Sequence, residues 1–244
     1  MVARVVSLVP SVTETLLAWG IQPVAVTRFC EEPGLQAVGG TKNPDIEAIV
    51  DLAPDLVVMD KEENNLADAE TLAARGIALH VTHVQSVGDV APMLADLASA
   101  VGVAAVGATA IGVAVNDSSP ARPAVSGPRP TVWVPIWRRP WMSINASTYG
   151  SSVLGAAGLD NVMANAGTTY PVTTLEEAAA AGPDVVLAPS EPYSFAEKHR
   201  IELEAVAPVI FVDGKDLFWW GDRTTGAVRR LEQLARDLRN LTAL

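Results

Sequence analysis

Cysteine, basic charge, aromatic residues and long apolar runs are all scarce in this chain. A single cysteine, Cys30, excludes an intrachain disulfide and any zinc site built from several thiolates. Only 17 Lys and Arg stand against 28 Asp and Glu, a formal net charge of −11. Such a surface repels phosphate backbones and anionic headgroups, which argues against nucleic acid and membrane surfaces as partners. No run approaches the ~18 apolar residues of a spanning helix, so direct membrane insertion is not expected. The chain passes within three residues of Met1 into RVVSLVP (4–10), too short for the apolar core of a secretion leader. That start predicts a cytoplasmic protein if the chain is full-length, or a secreted one whose leader has been removed. Enzyme fingerprints are missing too: G-x-S-x-G, the phosphate loop, H-E-x-x-H and a strand-borne G-x-G-x-x-G do not occur. Their absence favours binding over catalysis, with no catalytic cofactor.

What is present is enough apolar material for a substantial core. Hydrophobic residues make up 49% of 244 and charged residues 18%, which suits one large domain or two lobes of about 100 residues each. RVVSLVP predicts a short buried strand. SVTETLLAWG follows as a helix, with Ser11 and Glu14 at capping-box spacing and Gly20 ending it. VAVT (24–27) is the next strand, then a helix from about Asp45, a break at Pro54 and a strand at 56–59. DAETLAARG and IALHVTH add a helix and a strand. Alternation at this spacing predicts an α/β fold with parallel sheets. Residues 87–117 change character, being rich in Ala, Val and Gly, and predict two helices, the second from about Val103 to Asp117, before the Pro-rich SPARPAVSGPRP (119–130). The alternation then restarts, from TVWVPIW to an amphipathic C-terminal helix in TTGAVRRLEQLARDLRNL.

The second half repeats the first. DIEAIVDLAPDLVVMDKE (45–62) aligns without gaps on TLEEAAAAGPDVVLAPSE (174–191), a constant offset of 129. Asp45 falls on Thr174, Pro54-Asp55 on Pro183-Asp184, and Glu62 on Glu191. The expected organisation is therefore two related lobes, each a short, mainly parallel sheet flanked by helices, joined by a single connecting helix. Its boundaries are an N-terminal lobe over 1–90, a connector and Pro-rich joint over 91–127, and a C-terminal lobe over 128–244.

In open α/β sheets ligands collect beyond the carboxyl ends of the strands. Five of the six tryptophans (Trp133, Trp137, Trp141, Trp219 and Trp220) fall in or beside two such segments, PIWRRPW and GKDLFWWGDR. Aromatic density there suits a large planar or apolar ligand, with Arg28, Arg138 and Arg223 available for its carboxylates or phosphates. Trp133, mid-strand, reads as core. Of adjacent Trp219 and Trp220, one is expected to pack and one to face a ligand. Glu62 and Glu191 are either solvated loop acids or a symmetric pair that docks on basic residues of a two-fold partner. Cys30 reads as a small, half-buried side chain, with a soft axial metal ligand as the alternative. His80 and His83, three apart on a strand, point to opposite faces and cannot share a metal. His199 is expected to be exposed.

RVVSLVPSVTETLLAWG, VGGTKNPDIEAIVDLAPDLVV, LAARGIALHVTHVQSVGDV, PDVVLAPSEPYSF and DGKDLFWWGDR together resemble the class III, helical-backbone substrate-binding proteins. These are the receptors of ABC importers for cobalamin, haem and ferric siderophores, and the cobalamin-binding members are the most similar. The resemblance implies a monomer that holds such a ligand in a cleft between two lobes and hands it to a membrane permease dimer. It implies docking through Glu62 and Glu191, stacking by Trp219, Trp137 and Trp220, and polar anchoring by Arg28, Asp60 and Arg223. It also implies an extracytoplasmic location. A cytoplasmic carrier or sensor that lost its transporter, or an enzyme on the same scaffold, are the alternatives.

Overall fold

The computed structural model describes residues 3–30, 32, 34–103 and 128–242. The second helix predicted within 87–117 and most of the Pro-rich joint lie outside the described residues. The described chain divides into two units: 3–84, 89–103 and 220–222 in the first, and 85–88, 128–219 and 223–242 in the second.

The first unit runs β1 (Val5–Ser7), α1 (Pro10–Ala18), β2 (Ala25–Val26), α2 (Ile46–Asp51), β3 (Leu56–Asp60), α3 (Leu66–Ala74) and β4 (Leu79–Thr82), and α4 (Val87–Ala100) follows. All four strands are parallel, in the order β2-β1-β3-β4. Every residue of β1 and β3 is buried, as a parallel sheet covered on both faces requires, and this is why these strands read as unbroken apolar runs. One face of the sheet packs Val6, Val57 and Met59 against Ile49 of α2 and Leu72 of α3. Helix α1 begins differently from expectation. Pro10 opens it, Val9 stands at the cap position, and no side chain caps it. Ser11 lies inside the first turn with its hydroxyl buried and unpartnered, so the predicted capping box does not form. Pro10 lowers the need for one, since it brings no N–H to be satisfied.

The second unit contains β5 (Thr131–Trp133), β6 (Trp141–Met142), α5 (Tyr149–Ala157), β7 (Asp160–Asn161), β8 (Val172–Thr173), α6 (Leu175–Ala180), β9 (Val185–Pro189), α7 (Arg200–Leu203), β10 (Val209–Val212), α8 (Lys215–Phe218) and α9 (Thr224–Thr242). Its main sheet is again parallel, ordered β10-β9-β5-β7, and β6 and β8 form a separate antiparallel pair. Trp133 is fully buried in the core with Val186, Ala188 and Phe195, as expected of a mid-strand tryptophan.

Strand for strand the two sheets correspond, with β1, β2, β3 and β4 matched by β5, β7, β9 and β10. The 129-residue offset carries α2 onto α6 residue for residue. Asp45 caps α2 by accepting from the Ala48 N–H, and Thr174 caps α6 by accepting from the Glu177 N–H. Past each helix the chain turns through the left-handed region, at Ala53 (φ 44°) and Gly182 (φ 67°). The following aspartates then do one job twice. Asp55 accepts from the Arg4 N–H at 2.8 Å, and Asp184 accepts from the Thr131 N–H at 2.7 Å, tying each central strand to its neighbour. The internal repeat is thus a repeat of hydrogen bonds as well as of letters.

Candidate functional site

In each sheet the strand order reverses beside the first strand, between β1 and β3 in one and between β5 and β9 in the other. That reversal opens a crevice at the carboxyl ends, where consecutive connections depart to opposite sides. Asp60 ends β3 and Glu62 follows it, Trp137 follows β5, and Glu191 follows β9.

In the first unit, Asp60 is buried, and its carboxylate is engaged by the loop that follows it. One oxygen accepts from the Glu62 and Glu63 N–H groups at 2.8 and 3.3 Å, and the other accepts from the Thr82 hydroxyl at 2.7 Å. Asp60 was expected to anchor a ligand. In this geometry it supports the Glu62 loop through its bonds to the backbone N–H groups there. Lys42 adds a hydrogen bond to the Glu62 carbonyl at 2.6 Å. The Glu62 side chain is 42% exposed, with His83 4.0 Å away. After β2, Arg28 is exposed, and its guanidinium carbon lies 5.1 Å from the ring centroid of Phe29, itself 50% exposed. Cys30 is half-buried, its sulfur 3.2 Å from the Thr13 hydroxyl and 3.5 Å from that of Thr27.

Aromatic residues dominate the second unit. Trp133, Trp141, Phe195, Tyr193 and Trp137 form a continuous series of ring contacts, with centroids 4.7–6.0 Å apart. The series starts in the core at Trp133 and ends at Trp137, 44% exposed and met edge-on by Tyr193. Its exposed end is therefore held by its buried end, a rigid apolar surface rather than a loose side chain. His199 sits edge-on to both Tyr193 and Phe195 and is buried, contrary to the exposure expected of it. Its Nδ1 accepts the Ala196 N–H at 3.1 Å, which fills the polar need that a helical surface position would have met with water. Burial, reinforced by Lys198 and Arg138, holds the imidazole below its usual pKa.

Trp219 follows α8 directly and is half-buried. The Lys215 ammonium lies 4.5 Å and the Arg223 guanidinium carbon 5.8 Å from its ring centroid, both within cation–π range. Trp220 is buried. Of the two it is the one that packs, and it groups with the first unit whereas Trp219 groups with the second. Arg138 and Arg223, read from sequence as open cations, are both ion-paired. Arg138 Nε donates to Glu202 at 2.7 Å, and Arg223 reaches Asp213 and Asp216 at 3.3 Å each. Glu191 packs beside Gly214, whose N–H donates to the Ser190 hydroxyl at 3.0 Å. A Cβ on Gly214 would come within 2.8 Å of the Glu191 carbonyl oxygen, so only glycine allows this approach. An open depression of about 540 Å³, lined by Ser86, Ser147, Ser151 and Asn161 among others, contains none of the residues expected to bind a ligand.

The sequence profile of periplasmic binding proteins matches residues 5–207. This chain belongs to the periplasmic binding protein family. The vitamin B12-binding protein of Salmonella choleraesuis (strain SC-B67) is 24% identical to it over 189 residues, spanning 75% of this chain and 71% of the relative. Among solved structures, the periplasmic vitamin B12 binding protein of Vibrio cholerae superposes with a TM-score of 0.80 at 19% identity, covering 97% of this chain and 98% of its own. The periplasmic haem-binding protein of Roseiflexus sp. RS-1, in its apo form, gives a TM-score of 0.83 at 22% identity, covering 98% and 99%. These are binding proteins rather than enzymes, and so is this chain. Phe29, Tyr193 and Asp216 contact Arg28, Trp137 and Arg223 respectively and are not among the residues expected from the sequence to bind a ligand. Phe29 adjoins Arg28, and Tyr193 lies within PDVVLAPSEPYSF, one of the stretches that carry the family resemblance. Asp216 lies within GKDLFWWGDR, but its burial and its pairing with Arg230 on α9 are not legible there.

Proposed function

We propose that this protein captures a corrinoid or haem-like metal chelate and delivers it to an ABC importer outside the cytoplasm. The observation that carries this reading is the braced aromatic surface at the carboxyl end of the second sheet, where Trp137 is 44% exposed at the end of a continuous ring series. A large macrocycle offers a flat, largely apolar face, and a pre-organised aromatic surface binds such a face at little entropic cost. Trp137 and Trp219 are the stacking residues of this reading, and Arg28 and Arg223 its polar contacts. Asp60 serves it through the Glu62 loop, and Trp220 through packing. The similarity to vitamin B12-binding and haem-binding proteins supports the ligand class. Glu62 and Glu191 are the docking acids of this reading, each two residues beyond the end of a corresponding strand.

The test is a tryptophan-fluorescence titration with cyanocobalamin, haemin and a ferric siderophore, corrected for ligand absorbance. Saturable quenching by one of them is expected, weakened roughly ten-fold or more in Trp219→Ala, the scale of losing an aromatic anchor. Failure of all three to bind a folded protein would discard the metal-chelate reading.

A further inference from the structure

Asp216 is one of the few buried acids among the described residues, 6% exposed, and it is surrounded by cations. Its carboxylate takes the Arg230 side chain as a fork, one oxygen accepting from Nη2 at 2.6 Å and the other from Nε at 2.7 Å. The oxygen facing Nη2 of Arg230 also lies 3.3 Å from Nη2 of Arg223, and Asp213 stands at the same distance from that nitrogen. A carboxylate is buried at a cost unless paired and hydrogen-bonded, and here two guanidiniums meet that need. The arrangement also constrains those guanidiniums. Arg223 has many rotamers when unanchored, and two carboxylates on one nitrogen leave it few. What it is held against is Trp219, 5.8 Å away, with Lys215 on the same ring at 4.5 Å.

We infer that Asp216 is a positioning residue of the ligand site: by anchoring Arg223 it sets the orientation of the Trp219 ring. The inference rests on the reading of Trp219 as a ligand contact, yet the positioning itself has a ligand-free signature. Arg230, on α9, is the structural side of the same carboxylate, and Arg223 is the functional side. The two can be separated by experiment.

The experiment is near-UV circular dichroism of the full chain, with the Trp219 component taken as the difference between each protein and its Trp219→Phe counterpart. Asp216→Asn keeps the shape and removes the charge; it should lose most of the Trp219 component. Arg223→Met should lose it equally, and the double variant should add nothing further, because both act through one link. Arg230→Met should retain it, and Asp216→Glu should restore part of it. Loss in Arg230→Met with retention in Arg223→Met would overturn the inference, since Asp216 would then be a brace between α8 and α9 only. Unaltered Trp219 dichroism in Asp216→Asn would overturn it as well. Should Asp216→Asn not fold, Arg223→Met decides alone by the same criterion. Where the titrations above find a ligand, Asp216→Asn should weaken it about ten-fold, the scale of one charge-assisted hydrogen bond. Where they find none, the metal-chelate reading fails while the dichroism still decides the positioning.

Discussion

Trp219 and Trp220 share a peptide bond and differ in everything else, because the chain leaves a short helix just before them and each ring meets a different environment. Trp220 is buried, whereas Trp219 stays half-exposed between two cations. His199 makes a similar point about charge. A proton on its imidazole must be carried into a buried site, with Lys198 and Arg138 close enough to oppose it as well. The folded pKa is therefore depressed, and the unfolded chain takes up the proton first, near pH 6.5. Stability should be complete above that pH, fall as pH drops below it, and level off beneath the folded value. Burial lowers the His80 pKa in the same direction. Urea midpoints recorded between pH 7.5 and pH 5 should fall more steeply for the wild type than for His199→Gln. Parallel slopes would remove His199 from the account.

At the scale of elements, the two units solve one problem with different residues. Helices α2 and α6 both end in a left-handed turn, which glycine adopts freely and alanine adopts under strain. Gly182 fills that position in one and Ala53 in the other. Ala53→Gly should therefore stabilise the protein by about 0.5–1 kcal/mol, and Gly182→Ala should destabilise it by a similar amount. Denaturant midpoints with unchanged slopes would check both. Equal and same-signed effects would mean that the turns are not equivalent. The loops beyond β3 and β9 are supported in contrasting ways as well: Asp60 collects backbone N–H groups beneath Glu62, whereas Gly214 gives the Glu191 loop room to pack.

For the whole molecule, paired acids at matching positions of two matching sheets suit a partner that itself has two-fold symmetry. Charge reversal tests this. Glu62→Lys with Glu191→Lys should abolish ligand uptake by cells that carry the cognate importer, while titrated ligand affinity stays unchanged. Uptake that survives the double reversal would place docking elsewhere. Among the described residues no helix is long and apolar enough to cross a membrane.

The amino-acid sequence by itself determined the alternation of strands and helices, the internal repeat and the strand-end segments. Each of these is a local property: apolar period, capping spacing, and the Pro-Asp step that closes both β1–β3 and β5–β9. It also marked Trp133 as core, since a mid-strand tryptophan has no other place in a sheet covered on both faces. Tertiary structure alone decided which acids and cations remain open. Arg138 and Arg223 look available in one dimension and are paired in three, because Glu202 lies 64 residues from Arg138, while Asp213 and Asp216 reach Arg223 only across the turn of α8. The loop-supporting bonds of Asp60 are hidden for the same reason, since one carboxylate oxygen is held by Thr82 on the neighbouring strand. Ser11 lost its cap once Pro10 began the helix two residues earlier than the capping pattern implied. Hydrophobic periodicity survives projection onto a sequence because neighbours along the chain create it. Ion pairing and burial of polar groups do not, because their partners arrive from distant elements brought together by folding.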